Sequence, residues 1–129
     1  MSNTNFNNKP KYNFFKNFGY AVSGIKDVFN NEMSFKLEVV FLIIFLIISF
    51  LTPFEFVHKL ILVLSLFLPL LTEIINSALE RLVDMYTMDY NIQAKKIKDI
   101  GASLVLLSFI ITAVTWLLIF IYNILEFLQ

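Results

Sequence analysis

The sequence predicts an all-α membrane protein: three transmembrane helices preceded by an amphipathic surface helix. Three observations point there. The 129 residues are 58% hydrophobic and only 16% charged, with a mean hydropathy of +0.75, far too apolar for an ordinary soluble domain. Fifteen Phe against three Gly and three Pro favour long helices over a barrel. Three apolar stretches approach or exceed the length that crosses a bilayer.

Residues 1–12 (MSNTNFNNKPKY) are polar and read as a disordered amino terminus, and residues 13–129 as one membrane domain. The first 30 residues hold no continuous apolar stretch or small-residue cleavage site, so no secretory signal is expected. Residues 13–30 predict the surface helix. Phe14, Phe15, Phe18, Ala21, Val22, Ile25, Val28 and Phe29 fall on one arc, with Lys16, Tyr20, Ser23, Asp27 and Asn30 opposite. Such a helix suits the plane of a membrane interface. The alternative, packing on a soluble core, lacks a soluble core to pack on.

The first span is expected at about 34–52, with an uncharged centre VVFLIIFLIISFL, and Pro53 stops it. A tight turn leads to the second span, about 56–85, which Pro69 is expected to kink. Residues 86–96 read as a polar connection. The third span is expected at about 97–125, with Trp116 and Tyr122 as interface anchors near its far end.

Nine of the ten basic residues (Lys9, Lys11, Lys16, Lys26, Lys36, Arg81, Lys95, Lys96, Lys98) fall on one side of these spans and Lys59 on the other. The positive-inside rule then puts the amino terminus and the 86–96 loop in the cytoplasm. The formal net charge is zero, so nucleic acid is not implied as a partner. The absence of cysteine excludes disulfides and thiolate metal sites.

One polar stripe stands out. Glu73, Asn76, Glu80 and Asp84 follow the apolar run LILVLSLFLPLLT, and steps of three, four and four put them on one helix face. A carboxylate near the centre of a membrane helix costs about 2.5–3.5 kcal/mol on insertion scales. Such a stripe fits burial of a cation, a proton path or a reacting group. Glu80 and Asp84 repel by about 0.2–0.5 kcal/mol on an exposed helix, more where water is scarce. A hard cation relieves that repulsion, and Mg²⁺ takes one or two carboxylates plus phosphates and waters. Glu32, at the start of the first span, is the candidate second carboxylate. The competing reading is local pairing, Glu32 with Lys36 and Arg81 with Asp84.

Glu73 lies about 10 Å deeper than Glu80 at 1.5 Å per residue, near the level of a lipid headgroup hydroxyl. Poorly solvated there, it is a candidate general base; the alternative is a structural carboxylate bonded to a neighbouring helix. Lys98 and Asp99 open the third span, either to hold a phosphate or as plain helix-end charges. His58, the single histidine, reads as an exposed turn residue without a role. No GxxxxGK[ST], GxGxxG, GxSxG or HExxH occurs.

The run E73-IIN76-SALE80-RLVD84 followed by K98-D99-IGAS resembles the prokaryotic integral-membrane diacylglycerol kinase family, with its ExxN[ST]AxExxVD and AKD[ILMV][AG] segments. FGYAVSGIKDVFNNEMSFKLE resembles the family's GYAxxGI…E…F[RK]xE segment. The resemblance covers roughly residues 13–120. Two departures are Asn13, where the family often has Arg, and Lys95 with Ile97 ahead of Lys98, where Ala is usual.

The resemblance implies a homotrimer of three-span subunits in the bacterial inner membrane. It implies transfer of the ATP γ-phosphate to the hydroxyl of membrane diacylglycerol, with Mg²⁺ as cofactor. Glu73 would be the general base, with Asn76, Lys98 and Asp99 in the catalytic set and Asp84 supporting it. Glu32 and Glu80 would hold the metal. Tyr20, Glu32, Glu80, Asp89, Tyr90, Asn91, Lys98 and Asp99 would meet the nucleotide. Glu73, Ala102 and Trp116 would meet the lipid. Undecaprenol is the alternative acceptor within the family. A non-enzymatic ion or proton conductor is the alternative from another class, disfavoured because the polar stripe is expected to stop at Glu73.

Overall fold

The computed structural model of the chain describes residues 13–128. The expected disordered segment, with Lys9 and Lys11, lies outside the described residues. Five helices follow one another: α1 (Phe14–Asn31), α2 (Met33–Leu51), α3 (Phe56–Ser65), α4 (Phe67–Tyr86) and α5 (Ile92–Phe127). Met33–Leu51, Phe56–Tyr86 and Ile92–Phe127 are long and apolar enough to cross a membrane.

Local chemistry explains the ends. Asn13 caps α1, its Oδ1 accepting from the Lys16 amide at 3.1 Å. Glu32 is extended, with φ −103°, and serves both as the carboxyl cap of α1 and the amino cap of α2. The chain therefore turns a corner at Glu32. Lys36 Nζ closes that corner by donating to the Asn30 carbonyl at 2.8 Å, a cation at a helix carbonyl end. Lys59 Nζ does the same for α2, donating to the Phe50 carbonyl at 3.3 Å.

The expected kink in the second span is a break at Leu66, between α3 and α4. Pro69 lacks the N–H that the Ser65 carbonyl, four residues back, would accept. Thr112 of α5 supplies the missing donor, its hydroxyl lying 2.9 Å from that carbonyl. The freed backbone group is thus satisfied inside an apolar environment.

The third span starts earlier than expected. Asn91 Oδ1 accepts from the amides of Gln93 and Ala94 at 2.8 and 3.2 Å, so α5 begins at Ile92 rather than near 97. The polar connection shrinks to residues 87–91.

α5 packs along α4 and α3, α2 lies against α4 and α3, and α1 rests on α2 and touches α4. The core gathers on Leu62, Leu66 and Trp116, surrounded by Phe45, Phe54 and Phe120. Trp116 is not an interface anchor. It is buried in this core, edge-on to Phe45 at 4.8 Å and stacked on Phe120 at 5.8 Å. Because α5 runs on to Phe127, Trp116 sits about 16 Å inside its end.

Two further expectations change. His58 is half-buried rather than an exposed turn residue: Asn123 Nδ2 lies 3.2 Å from its Nδ1, and Tyr122 meets its ring edge-on. The polar groups also do not stop at Glu73. Ser65, Thr72, Ser108 and Thr112 continue through the core, with the Thr72 and Ser108 hydroxyls 2.9 Å apart across α4 and α5. All four hydroxyls bond backbone carbonyls or each other; Thr72 with Ser108, and Thr112 with the Ser65 carbonyl, fasten helices together, whereas the Ser65 hydroxyl bonds Leu62 within its own helix. No charged residue occurs between Lys59 and Glu73.

Candidate active site

The stripe on α4 forms a gradient of burial. Glu73 and Asn76 are 6% and 8% exposed, Glu80 is half-buried and Asp84 is exposed. Asn76 Nδ2 donates to Glu80 Oε1 at 3.1 Å, one helical turn away. The other end of that amide, Oδ1, is buried without a hydrogen-bond partner. It lies against α5, where a Cβ on Gly101 would come within 2.5 Å of it. Gly101 thus lets the two helices close around the Asn76 side chain.

Glu73 is surrounded by acids. Glu80 and Glu32 repel it, it repels Glu38 in turn, and Ser34 and Asn76 offer it hydrogen-bonding side chains. The corner between α1 and α2 brings Glu32 and Ser34 in. α4 brings Glu73, Asn76 and Glu80.

The local pairs expected from sequence are replaced by longer-range ones. Arg81 reaches across to Asp27 on α1 and to Glu32, with Nη2 3.0 Å from Glu32 Oε1. Asp84 accepts instead from Lys98 Nζ of α5 at 2.6 Å. That bond sets Lys98 beside the shallow end of the stripe. Asp99, its neighbour, is exposed and makes no side-chain hydrogen bond among the described residues. Tyr20 is exposed on α1, with the Lys16 ammonium 5.8 Å over its ring; among the described residues no hydrogen bond ties it to the acids. Asp89 and Tyr90 are exposed in the connection, and Asn91 is the cap of α5. Ala102 is exposed on α5, 14 residues and about 21 Å from the buried Trp116 along the helix, so the structure does not bring these two together.

Among the described residues, no three acidic or imidazole side chains gather tightly enough to hold a metal ion unaided.

Sequence reasoning passed over Glu38. It is 7% exposed within the first span, and its Oε2 has no partner. Glu38, Phe41, Leu66, Pro69, Phe109 and Trp116 line a groove of about 470 Å³. Trp116 Nε1 is likewise buried without a partner. Glu38 thus links the two features: its side chain lines the largely apolar groove, and its carboxylate lies close enough to Glu73, one helical turn beyond Pro69, for the two to repel. The signal was present: Glu38 is an acid inside an apolar span, the same anomaly as Glu73.

Comparison with known proteins agrees with the resemblance. The sequence model described as prokaryotic diacylglycerol kinase matches residues 19–120. Diacylglycerol kinase of Escherichia coli strain K12 is 29% identical over 98 residues, 76% of this chain and 80% of that protein. Diacylglycerol kinase of Helicobacter pylori strain J99 is 34% identical over 103 residues, covering 79% and 80%. Diacylglycerol kinase of Pseudomonas aeruginosa is 26% identical over 98 residues, covering 76% and 80%. With its helical bundle, its three apolar spans and the acidic stripe on α4, the chain belongs to the prokaryotic diacylglycerol kinase family.

Proposed function

We propose that this protein is an ATP-dependent diacylglycerol kinase, giving phosphatidate and ADP. The observation that carries the reading is the buried carboxylate Glu73, close to Glu32 and Glu80 on one side and, on the other, to Glu38, which lines an apolar groove. A soluble phosphodonor approaches from the acidic side and a lipid from the groove. Their reacting groups then meet at one plane.

Phosphoryl transfer asks a protein chiefly for positioning and charge stabilisation. The lipid hydroxyl oxygen bonds the γ-phosphorus as the bond from that phosphorus to the β–γ bridging oxygen breaks. Glu73 accepts the hydroxyl proton, and ADP departs. Asn76 holds Glu80 in place through its amide. Lys98, steered by Asp84, offers its ammonium to the phosphates, and Asp99 beside it orients the nucleotide. Tyr20, Asp89, Tyr90 and Asn91 border the nucleotide. Two carboxylates, Glu32 and Glu80, are hard oxygen donors of the kind Mg²⁺ takes when phosphates and water complete its shell. Bound there, the ion would neutralise charge on the transferring phosphate.

The groove is suited to the lipid. Its lining is almost wholly apolar, with Glu38 and Thr112 the polar residues along it, and Ala102 lines the lipid's path nearer the acids. Apolar residues such as Ile43, Ile44, Leu106 and Leu117 remain exposed on the bundle. Bilayer tails and two further copies of the chain, in a homotrimer, cover them. α1, with Phe14, Phe15 and Phe18 exposed, lies in the membrane interface. The orientation is amino terminus cytoplasmic, in the bacterial inner membrane, by the asymmetry of Lys and Arg.

The test gives membranes containing the protein labelled ATP, Mg²⁺ and either diacylglycerol or undecaprenol. Label in phosphatidate supports the reading. Label in undecaprenyl phosphate alone reassigns the acceptor, and label in neither overturns it.

A further inference from the structure

The cation nearest Glu32 in the structure is a side chain. Arg81 lies on α4, next to Glu80, yet its guanidinium turns away to the corner between α1 and α2. Its two terminal nitrogens divide between two acids, Nη1 to Asp27 and Nη2 to Glu32 Oε1 at 3.0 Å. Among the described residues, Arg81–Asp27 is the hydrogen-bonded tie between α1 and α4. The reading of Glu32 and Glu80 as metal ligands leaves Arg81 without a role.

Resting on that reading, we propose that Arg81 is a positioning residue that competes with the metal for Glu32. Its fork across Asp27 and Glu32 holds the carboxylate in the site when no metal is bound and gives it up when Mg²⁺ arrives. Two physical points support this. Glu32 and Glu80 both repel Glu73, so without a counter-cation the corner carrying Glu32 is pushed outward; Arg81 supplies that cation. Mg²⁺ binds oxygens at about 2.0–2.1 Å in strict octahedral geometry, so the oxygen that Arg81 holds must be released or the second one used. Asp27 is what makes release possible. Arg81 keeps one acid when it yields the other, and α1 stays tied to α4 throughout. The planar fork matters here because a lysine presents a single point of charge and cannot span both acids.

The test measures Mn²⁺ binding, as a stand-in for Mg²⁺, by electron paramagnetic resonance on the full-length protein in lipid nanodiscs with a non-hydrolysable ATP analogue present and no turnover. Arg81→Gln removes the competitor and is expected to tighten Mn²⁺ binding by about threefold, in line with an exposed ion pair. Asp27→Asn concentrates Arg81 on Glu32 and is expected to weaken Mn²⁺ by a similar factor. Arg81→Lys discriminates between bridging and net charge. Affinity resembling that of Arg81→Gln supports the fork; affinity equal to the unaltered protein means that charge alone matters and overturns the proposal. Weaker binding in Arg81→Gln overturns it too. Glu32→Gln and Glu80→Gln report on the underlying reading: if neither lowers Mn²⁺ affinity, the metal assignment fails, whereas if both do and the Arg81 variants change nothing, only the competition fails.

Discussion

The amide oxygen of Asn76 lies where a side chain on Gly101 would have to go: a Cβ there would be 2.5 Å away. One glycine on α5 therefore governs how Asn76 on α4 is aimed, and Asn76 in turn holds Glu80 through its Nδ2. Gly101→Ala is expected to push Asn76 from this rotamer and break its bond to Glu80. Overpacking of this kind costs about 1–3 kcal/mol. Thermal unfolding in detergent should show the loss, together with a lower response of activity to Mg²⁺. An unchanged melting temperature and Mg²⁺ response would mean that the helices simply separate to admit the methyl.

The Ser65 carbonyl supports a double-mutant cycle. Thr112→Val removes the hydroxyl that replaces the proline's missing N–H, leaving a buried acceptor unpaired at about 1–3 kcal/mol. Pro69→Ala restores an amide that can reach the same carbonyl. Thr112→Val should therefore cost less in the Pro69→Ala background than in the native one. Equal costs in both backgrounds would show that Thr112 acts in some other way.

Glu38 should separate the two substrates. Glu38→Gln is expected to raise the KM for diacylglycerol by about tenfold, the worth of one hydrogen bond, with the KM for ATP unchanged. A rise in the ATP KM of the same size would move Glu38 from the lipid groove to the nucleotide side.

Glu32 and Glu80 should act through the metal. Replacing either with Gln is expected to shift the Mg²⁺ titration of activity to higher concentration, by about tenfold, as one of two carboxylate ligands is lost. A titration that does not move counts against that residue as a ligand.

Much of this architecture was legible in local pattern. Apolar runs located the three spans, and the period of the helix located the stripe on one face of α4. Pro69 announced the break, though not the threonine that answers it. What escaped depended on distance or on caps. Asn91 looked like loop because a capping side chain reads as polar connection until its bonds to Gln93 and Ala94 are seen. Arg81 looked like a partner for Asp84 because sequence favours neighbours, whereas the chain brings it Asp27 and Glu32 from about fifty residues away. Trp116 looked like an anchor because an aromatic in the outer half of a span reads as interfacial until its packing on Phe45 and Phe120 is seen. Glu38 was hidden by the apolar run that follows it.

The most direct measurement concerns Glu73. Glu73→Gln keeps the shape of the side chain and removes its ability to take a proton. Phosphatidate formation should fall by about 10²–10⁴-fold, the range of a positioned general base, while ATP binding at equilibrium stays near that of the unaltered protein. Near-normal turnover in Glu73→Gln would contradict the role given to this buried carboxylate.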